Sequence, residues 1–328
     1  MDASSDPIAL GVDLGGHKIL TAVVSSQGDM LTRDYTITPA SKGTETVVQE
    51  ILRSAGRAIE QAGITIKELS AIGVGAAGIS NPRTGVVFTS PNLPGWRNVP
   101  LKNIIEKESG RKTFLINDAN AAALGELYFG AAREARNFIY ITFGTGIGGG
   151  IVINGELYHG AVGTAGEIGH MTIDVNGLRC NCGNIGCWET LASGSALARE
   201  AKRRIQDGAV TSILDYAGGD VQRVTAHVVQ TAAEHDDILA RELIAQTGFY
   251  IGVGLANLID LFNPELIVIG GGLSNMGDML LGPAFRVAGE RAYQEAYRVV
   301  RFAPAKLGEN SGVIGSAIFA LNEIAKGG

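Results

Sequence analysis

The chain is short of cysteine, proline and basic clusters, and each shortage excludes something. Three cysteines in 328 residues cannot form an all-disulfide framework, because one thiol must stay unpaired. Nine prolines are too few for a polyproline or low-complexity segment. No run of Lys or Arg could track a nucleic-acid backbone, and the net charge of −6 argues the same way. No apolar run approaches membrane-spanning length. The opening residues, MDASSDPIAL, are acidic where a secretory leader would be basic. Clustered thiols suit a reducing compartment, so the expected address is the cytoplasm.

Glycine is abundant instead, at 46 residues. It gathers beside apolar segments, as tight turns and close helix contacts require. A composition 45% hydrophobic and 18% charged suits a packed globular protein long enough for two domains.

Apolar patterning predicts strands at 8–13, 19–25 and 30–37, separated by turns at 14–18 and 27–29. Val47, Ile51, Ala55, Ala58 and Ile59 recur at helical spacing. A buried-type strand follows at 69–76, then a strand pair about the turn at 82–85, a loop at 90–96 and a short helix opened by Pro100. A strand at 114–116 runs into Asn117-Asp118 and a helix. About 130 residues after the first strand the opening pattern returns. Strand 137–143, glycine turn 144–150, strand 151–153, the hairpin pair Asn154-Gly155 and strand 156–158 read as an internal duplication. Helices are expected at 193–205, 224–234 and 237–262, a strand at 266–269, and a last helix at 312–325. In the long helix Leu239, Leu243, Gln246, Tyr250, Val253 and Leu261 fall near one face, and Gly248, Gly252 and Gly254 leave room for a close neighbour.

Three constellations carry chemistry. Cys180, Cys182 and Cys187 lie within eight residues, with His170 ten residues upstream. Three thiols and one imidazole complete a tetrahedral zinc set with no open position. The competing reading is three small hydrophobes in a glycine-rich loop. Glu167 and Glu189 flank the cluster. Second, the glycine turns at 13–18 and 144–150 each follow a buried strand and present backbone N–H groups to a phosphate. Neither fits the P-loop or the G-x-G-x-x-G pattern, because strands follow both. With Gly270 to Gly272 they suggest a nucleotide held between domains. Third, Asp118 begins a helix, where it serves either as an N-cap or as a carboxylate base. The residues alone leave both roles open.

Together these motifs resemble the sugar kinases of the ROK family (repressors, open reading frames and kinases), its ATP-dependent glucokinases in particular. The pattern C-x-C-G-x-x-G-C-x-E is matched at every position from Cys180 to Glu189, behind Glu-Ile-Gly-His at 167–170. D-x-G-G-T-K is matched at 13–18 except that His17 replaces Thr, which removes a phosphate-contacting hydroxyl. The resemblance implies the actin-like ATPase (ribonuclease H-like) fold, with two related α/β domains and a cleft between them. It implies a smaller domain of 1–117 plus a C-terminal helix at 312–328, and a larger one of 118–311 carrying the zinc loop 166–189. Asp118 becomes the base on a sugar 6-hydroxyl. Asn92, Asn117, Glu167, His170 and Glu189 hold the other hydroxyls. Asp13, Gly15, Gly16, Lys18, Thr145 and Gly146 surround ATP phosphates and Mg²⁺, with Gly271 and Gly272 by the adenosine. His170, Cys180, Cys182 and Cys187 ligate structural Zn²⁺. The implied work is phosphorylation of a hexose, glucose first, in carbohydrate metabolism by a homo-oligomer, dimer or tetramer; the alternatives are N-acetylglucosamine, N-acetylmannosamine or fructose as acceptor, or polyphosphate as donor. The family's repressors carry a DNA-binding helix-turn-helix ahead of the sugar-binding fold. A first strand near Ile8 leaves no room for one, so an enzyme without nucleic-acid or membrane partners is expected.

Overall fold

The computed structural model describes residues 6–90 and 92–327. The chain opens with β1 (Ile8–Leu14), β2 (Lys18–Ser25) and β3 (Met30–Ile37), an antiparallel meander. Helix α1 (Thr44–Gln61) leads to β4 (Ala71–Ala76), which lies parallel to β1. A small antiparallel sheet of β5 (Ile79–Asn81), β6 (Val86–Thr89) and β7 (Arg97–Val99) follows. Then come α2 (Leu101–Ser109), β8 (Thr113–Asn117) parallel to β4, and α3 (Asp118–Phe129). The second half holds β9 (Phe138–Phe143), β10 (Ile147–Ile153) and β11 (Glu156–Leu157). Helices α4 (Glu189–Ala192), α5 (Gly194–Gln206), α6 (Ile213–Tyr216), α7 (Ala226–Glu234) and α8 (Ile238–Phe262) precede β12 (Leu266–Gly270). The chain closes with α9 (Asp278–Arg291), α10 (Gln294–Val299), β13 (Arg301–Pro304) and α11 (Ser311–Ala325).

The two large sheets have orders β3-β2-β1-β4-β8 and β11-β10-β9-β12-β13. In sequence rank these are the same order, so the duplication read from the strand pattern is present in the topology. The second glycine turn is shorter than expected. Strand β10 begins at Ile147, which leaves only 144–146 outside the ladder.

The chain forms two compact units, one of residues 1–140, 150–166 and 304–328, the other of 141–149 and 167–303. In the first, one sheet face packs Leu10, Val12 and Val74 against Val47 and Ile51 of α1. The other face packs Leu20 and Ala22 under Val313 and Ala317 of α11. Helix α11 comes so close that a Cβ at Gly73 would stand 1.8 Å from the Ser316 carbonyl oxygen. Only glycine permits that approach. In the second unit, Gly248 and Gly252 of α8 do the same for α9, where added Cβ atoms would lie 2.4 Å from Leu280 O and 2.5 Å from Ala284 O. The expected apolar face of α8 is only partly right. Leu239 and Leu243 are buried, but Gln246 is exposed and Leu261 is 71% exposed, because α9 and Trp188 claim the glycine side. The expectation that no apolar run approaches membrane-spanning length fails at α8, which alone among the described helices is long and apolar enough by length and composition to cross a bilayer; 61% of that window is buried inside the fold.

Candidate active site

At the C-terminal end of β8 the backbone turns directly into α3. Asn117, not Asp118, is the N-cap: its Oδ1 accepts from Asn120 N at 3.0 Å, and its Nδ2 donates to Gly78 O at 3.2 Å. Asp118 is the first helical residue, with Oδ1 accepting from Ala119 N at 2.9 Å. The helix is capped without it, so its carboxylate is available for another task. Asp13, next to last in β1, lies against Gly312 at the start of α11, where a Cβ would stand 3.1 Å from its Cγ. Both carboxylates are half-buried. Burial first, then the neighbouring charge of Asp118, pushes Asp13 up to about 7 against the pull of Lys18. Burial also raises Asp118, opposed by the amides of the helix start and by Asn117. Two crowded acids of this kind suit a base and a divalent-cation ligand, since a cation relieves their repulsion.

The turn between β1 and β2 closes by Gly15 N donating to Lys18 O at 2.9 Å. His17 is exposed, and its carbonyl accepts from Thr38 N at 3.0 Å. The Thr38 hydroxyl donates to Gly15 O at 2.8 Å, so a threonine from after β3 braces the turn that lacks its own. Lys18 Nζ lies 3.3 Å from Glu309 Oε2, a partner sequence reasoning did not anticipate. Gly16 packs on Asn92, with an ideal Cβ only 2.4 Å from Asn92 Cβ. Asn92 itself is exposed, on a loop anchored by Leu93 and Trp96, 0% and 1% exposed. These apolar anchors hold the loop: Pro94 is exposed, and Pro91 lies outside the described residues.

In the second unit the four cluster residues converge. The ligating atoms of His170, Cys180, Cys182 and Cys187 all lie within 4.8 Å of one another. Cys182 Sγ and Cys187 Sγ are 3.7 Å apart, as are Cys180 Sγ and His170 Nδ1. A tetrahedron with metal–sulfur bonds of about 2.3 Å has S···S edges of about 3.8 Å, so the set is compatible with zinc. His170 turns its other nitrogen, Nε2, toward Glu167 Oε2 at 4.0 Å. One imidazole thus faces both the cluster and the acidic side. Gly186 permits the fold of the loop, with φ of 69° and an ideal Cβ 1.5 Å from Asp174 O.

The residue after Cys187 is Trp188, fully buried and overlooked in the sequence. Its Nε1 donates to Tyr250 O at 2.8 Å, and its ring meets Phe143 edge-on at 5.6 Å. Gly254 of α8 makes room for it, since a Cβ there would stand 2.1 Å from the indole. Phe143 ends β9 just before the turn 144–146, so the indole ties the cysteine loop to that turn. Gly144 O accepts from Gly194 N at 2.8 Å, and Thr145 O from Ser195 N at 3.3 Å. Glu189 closes the arrangement, with Oε2 accepting from Ile147 N at 2.9 Å. Gly271, with φ of 87°, packs within 2.3 Å of Phe143 O as measured from an ideal Cβ, whereas Gly272 faces open space.

A family model described as the ROK family matches residues 9–323. A glucokinase of Halalkalibacterium halodurans is 39% identical over 319 residues, covering 95% of this chain and 94% of the relative. A putative xylose repressor of Caldicellulosiruptor sp. is 34% identical, covering 97% of this chain and 79% of the repressor. Among solved structures, a ROK family glucokinase from Streptomyces griseus, in complex with glucose and AMPPNP, matches with TM-score 0.86. It is 36% identical, with 96% of this chain and 99% of that one covered. The duplicated sheets, the cysteine cluster and these likenesses agree, and the chain belongs to the ROK family.

Proposed function

We propose that this protein transfers the γ-phosphoryl group of ATP to the 6-hydroxyl of a hexose, with glucose as the preferred acceptor. The observation that carries this reading is Asp118, a half-buried carboxylate with raised proton affinity at a helix start already capped by Asn117. A base working near neutral pH needs that combination. The glucokinase relatives support the same assignment.

In this reading Asp118 takes the proton of the 6-hydroxyl as its oxygen attacks the γ-phosphorus in line, and ADP leaves. Asn92, Asn117, Glu167, His170 and Glu189 are the residues assigned to the remaining hydroxyls. Asp13, Gly15, Gly16 and Lys18, with Thr145, Gly146, Gly271 and Gly272, attend the nucleotide. Asp13 would hold Mg²⁺, which neutralises charge on the transferring phosphoryl group. His170, Cys180, Cys182 and Cys187 would hold a structural zinc that shapes the loop bearing Glu167 and Glu189. Drawing on ATP, the reaction belongs in the cytoplasm.

Coupled ADP release from glucose, N-acetylglucosamine and N-acetylmannosamine tests the assignment. Glucose should lead by at least about tenfold in kcat/KM, because a site built to bond hydroxyls penalises a sugar that leaves a buried partner unpaired. An acetylated sugar equal to glucose would remove the glucokinase reading and keep the kinase. The repressor relative supplies the second reading, which no ADP release from any hexose together with sugar-sensitive DNA binding would favour.

A further inference from the structure

In each unit, by itself, the glycine turn abuts a residue assigned to the sugar. Gly16 backs onto Asn92, and an ideal Cβ would stand 2.4 Å from Asn92 Cβ and 2.8 Å from its carbonyl oxygen. Gly146 backs onto Glu189, and an ideal Cβ would stand 2.2 Å from Oε2. The same Oε2 accepts from Ile147 N at 2.9 Å. Neither glycine has positive φ, so backbone conformation does not demand glycine at either place. What demands it is the neighbouring residue. The two contacts arise on turns in corresponding positions of the duplicated sheets, yet their partners come from unrelated segments, a loop before α2 and the first residue of α4.

We propose that Gly16 and Gly146 are positioning residues for the sugar. By lacking a Cβ, each lets an acceptor-side group rest directly on a donor-side turn. In the second unit the Glu189 carboxylate is registered by one oxygen on the Ile147 amide, which leaves Oε1 to meet a hydroxyl. A turn that shifts on nucleotide binding then carries Glu189 with it, so sugar and nucleotide bind with positive coupling. The proposal rests on the hexose kinase reading above, and its test separates the two.

The test is Gly146→Ala. The methyl meets only the mobile end of Glu189, so the chain should fold with its melting temperature unchanged within a few degrees, while the carboxylate leaves the Ile147 amide. Losing a charge-assisted hydrogen bond predicts a rise in glucose KM of about tenfold. Equilibrium glucose binding without nucleotide should weaken by the same factor. The factor by which AMPPNP tightens glucose should fall toward one. Gly16→Ala should repeat the glucose effect through Asn92. A Gly146→Ala enzyme with raised ATP KM and unchanged glucose binding would be an ordinary donor-turn defect and would overturn the proposal. Wild-type protein that releases no ADP with any hexose would instead fail the underlying reading.

Discussion

Lys18 Nζ lies 3.3 Å from Glu309 Oε2, and the other oxygen of that carboxylate meets Arg33 at 2.5 Å. The loop bearing Glu309 is pinned by buried Glu126, which accepts from Lys306 N at 3.0 Å, Leu307 N at 2.9 Å and the Ser311 hydroxyl at 2.8 Å. A fixed carboxylate therefore holds the lysine that the proposed reading assigns to a phosphate. The Arg33 guanidinium, followed by Lys18, holds Glu309 below the usual carboxylate range despite partial burial.

Glu309→Gln should free Lys18 for the donor. Partly exposed pairs are worth about 0.2–1 kcal/mol, so the KM for MgATP should fall by about 1.4- to fivefold at low salt, with kcat little changed. The effect should fade as ionic strength rises. An unchanged KM at low salt would show that Lys18 does not reach the donor.

Asp118→Asn keeps shape and leaves the Asn117 cap untouched. We expect kcat to fall by about 10²–10⁴ while the melting temperature and glucose affinity change little. A variant with more than half the wild-type kcat would reduce Asp118 to an ordinary helix residue.

Asp13 carries a pH signature. Its carboxyl stands at about 7 in the folded chain against 3.8 for the unperturbed group. Between those values the folded state binds more protons than the unfolded one, so this group's contribution to stability falls as pH rises. Below 3.8 both states are protonated and the cost is absent. Asp13→Asn should therefore stabilise the fold and raise the melting temperature at pH 8, the stabilisation being less than the roughly 4 kcal/mol that three pKa units would allow without solvent screening. The gain should shrink toward pH 4.5 while MgATP turnover is lost. An equal gain at both pH values would mean that packing, not ionisation, is responsible.

Zinc should be present at about one ion per chain, from the complete Cys3His set. Cys182→Ser should lose the metal, lower the melting temperature by about 5 °C or more, and weaken glucose binding. Elemental analysis showing no stoichiometric metal in active protein would refute the site.

Much of this was written locally. The strands of the first meander, α1 and the two glycine turns follow from apolar period and turn chemistry over a few neighbouring residues, and those signals survive folding because they describe backbone hydrogen bonding within the segment. The cysteine cluster was legible for the same reason: its thiols lie close in sequence. Helix α9 was missed because Gly282 and Pro283 interrupt its pattern, and its burial depends on glycines of α8 far away in the chain.

Other features were decided only in three dimensions. Asn117 and Asp118 are both good caps, and the sequence cannot choose between neighbours of equal chemistry; the turn from β8 into α3 gives the role to Asn117 and leaves Asp118 out of the cap. Lys18 and Glu309 are 291 residues apart, and Ile147 and Glu189 are 42 apart. No period or spacing links such pairs. Their meeting depends on where whole strands and helices pack, which is set by the sum of many buried contacts and not by the residues that meet. The sequence by itself determined which side chains exist to do the work, and the tertiary structure determined which of them are already engaged and with whom.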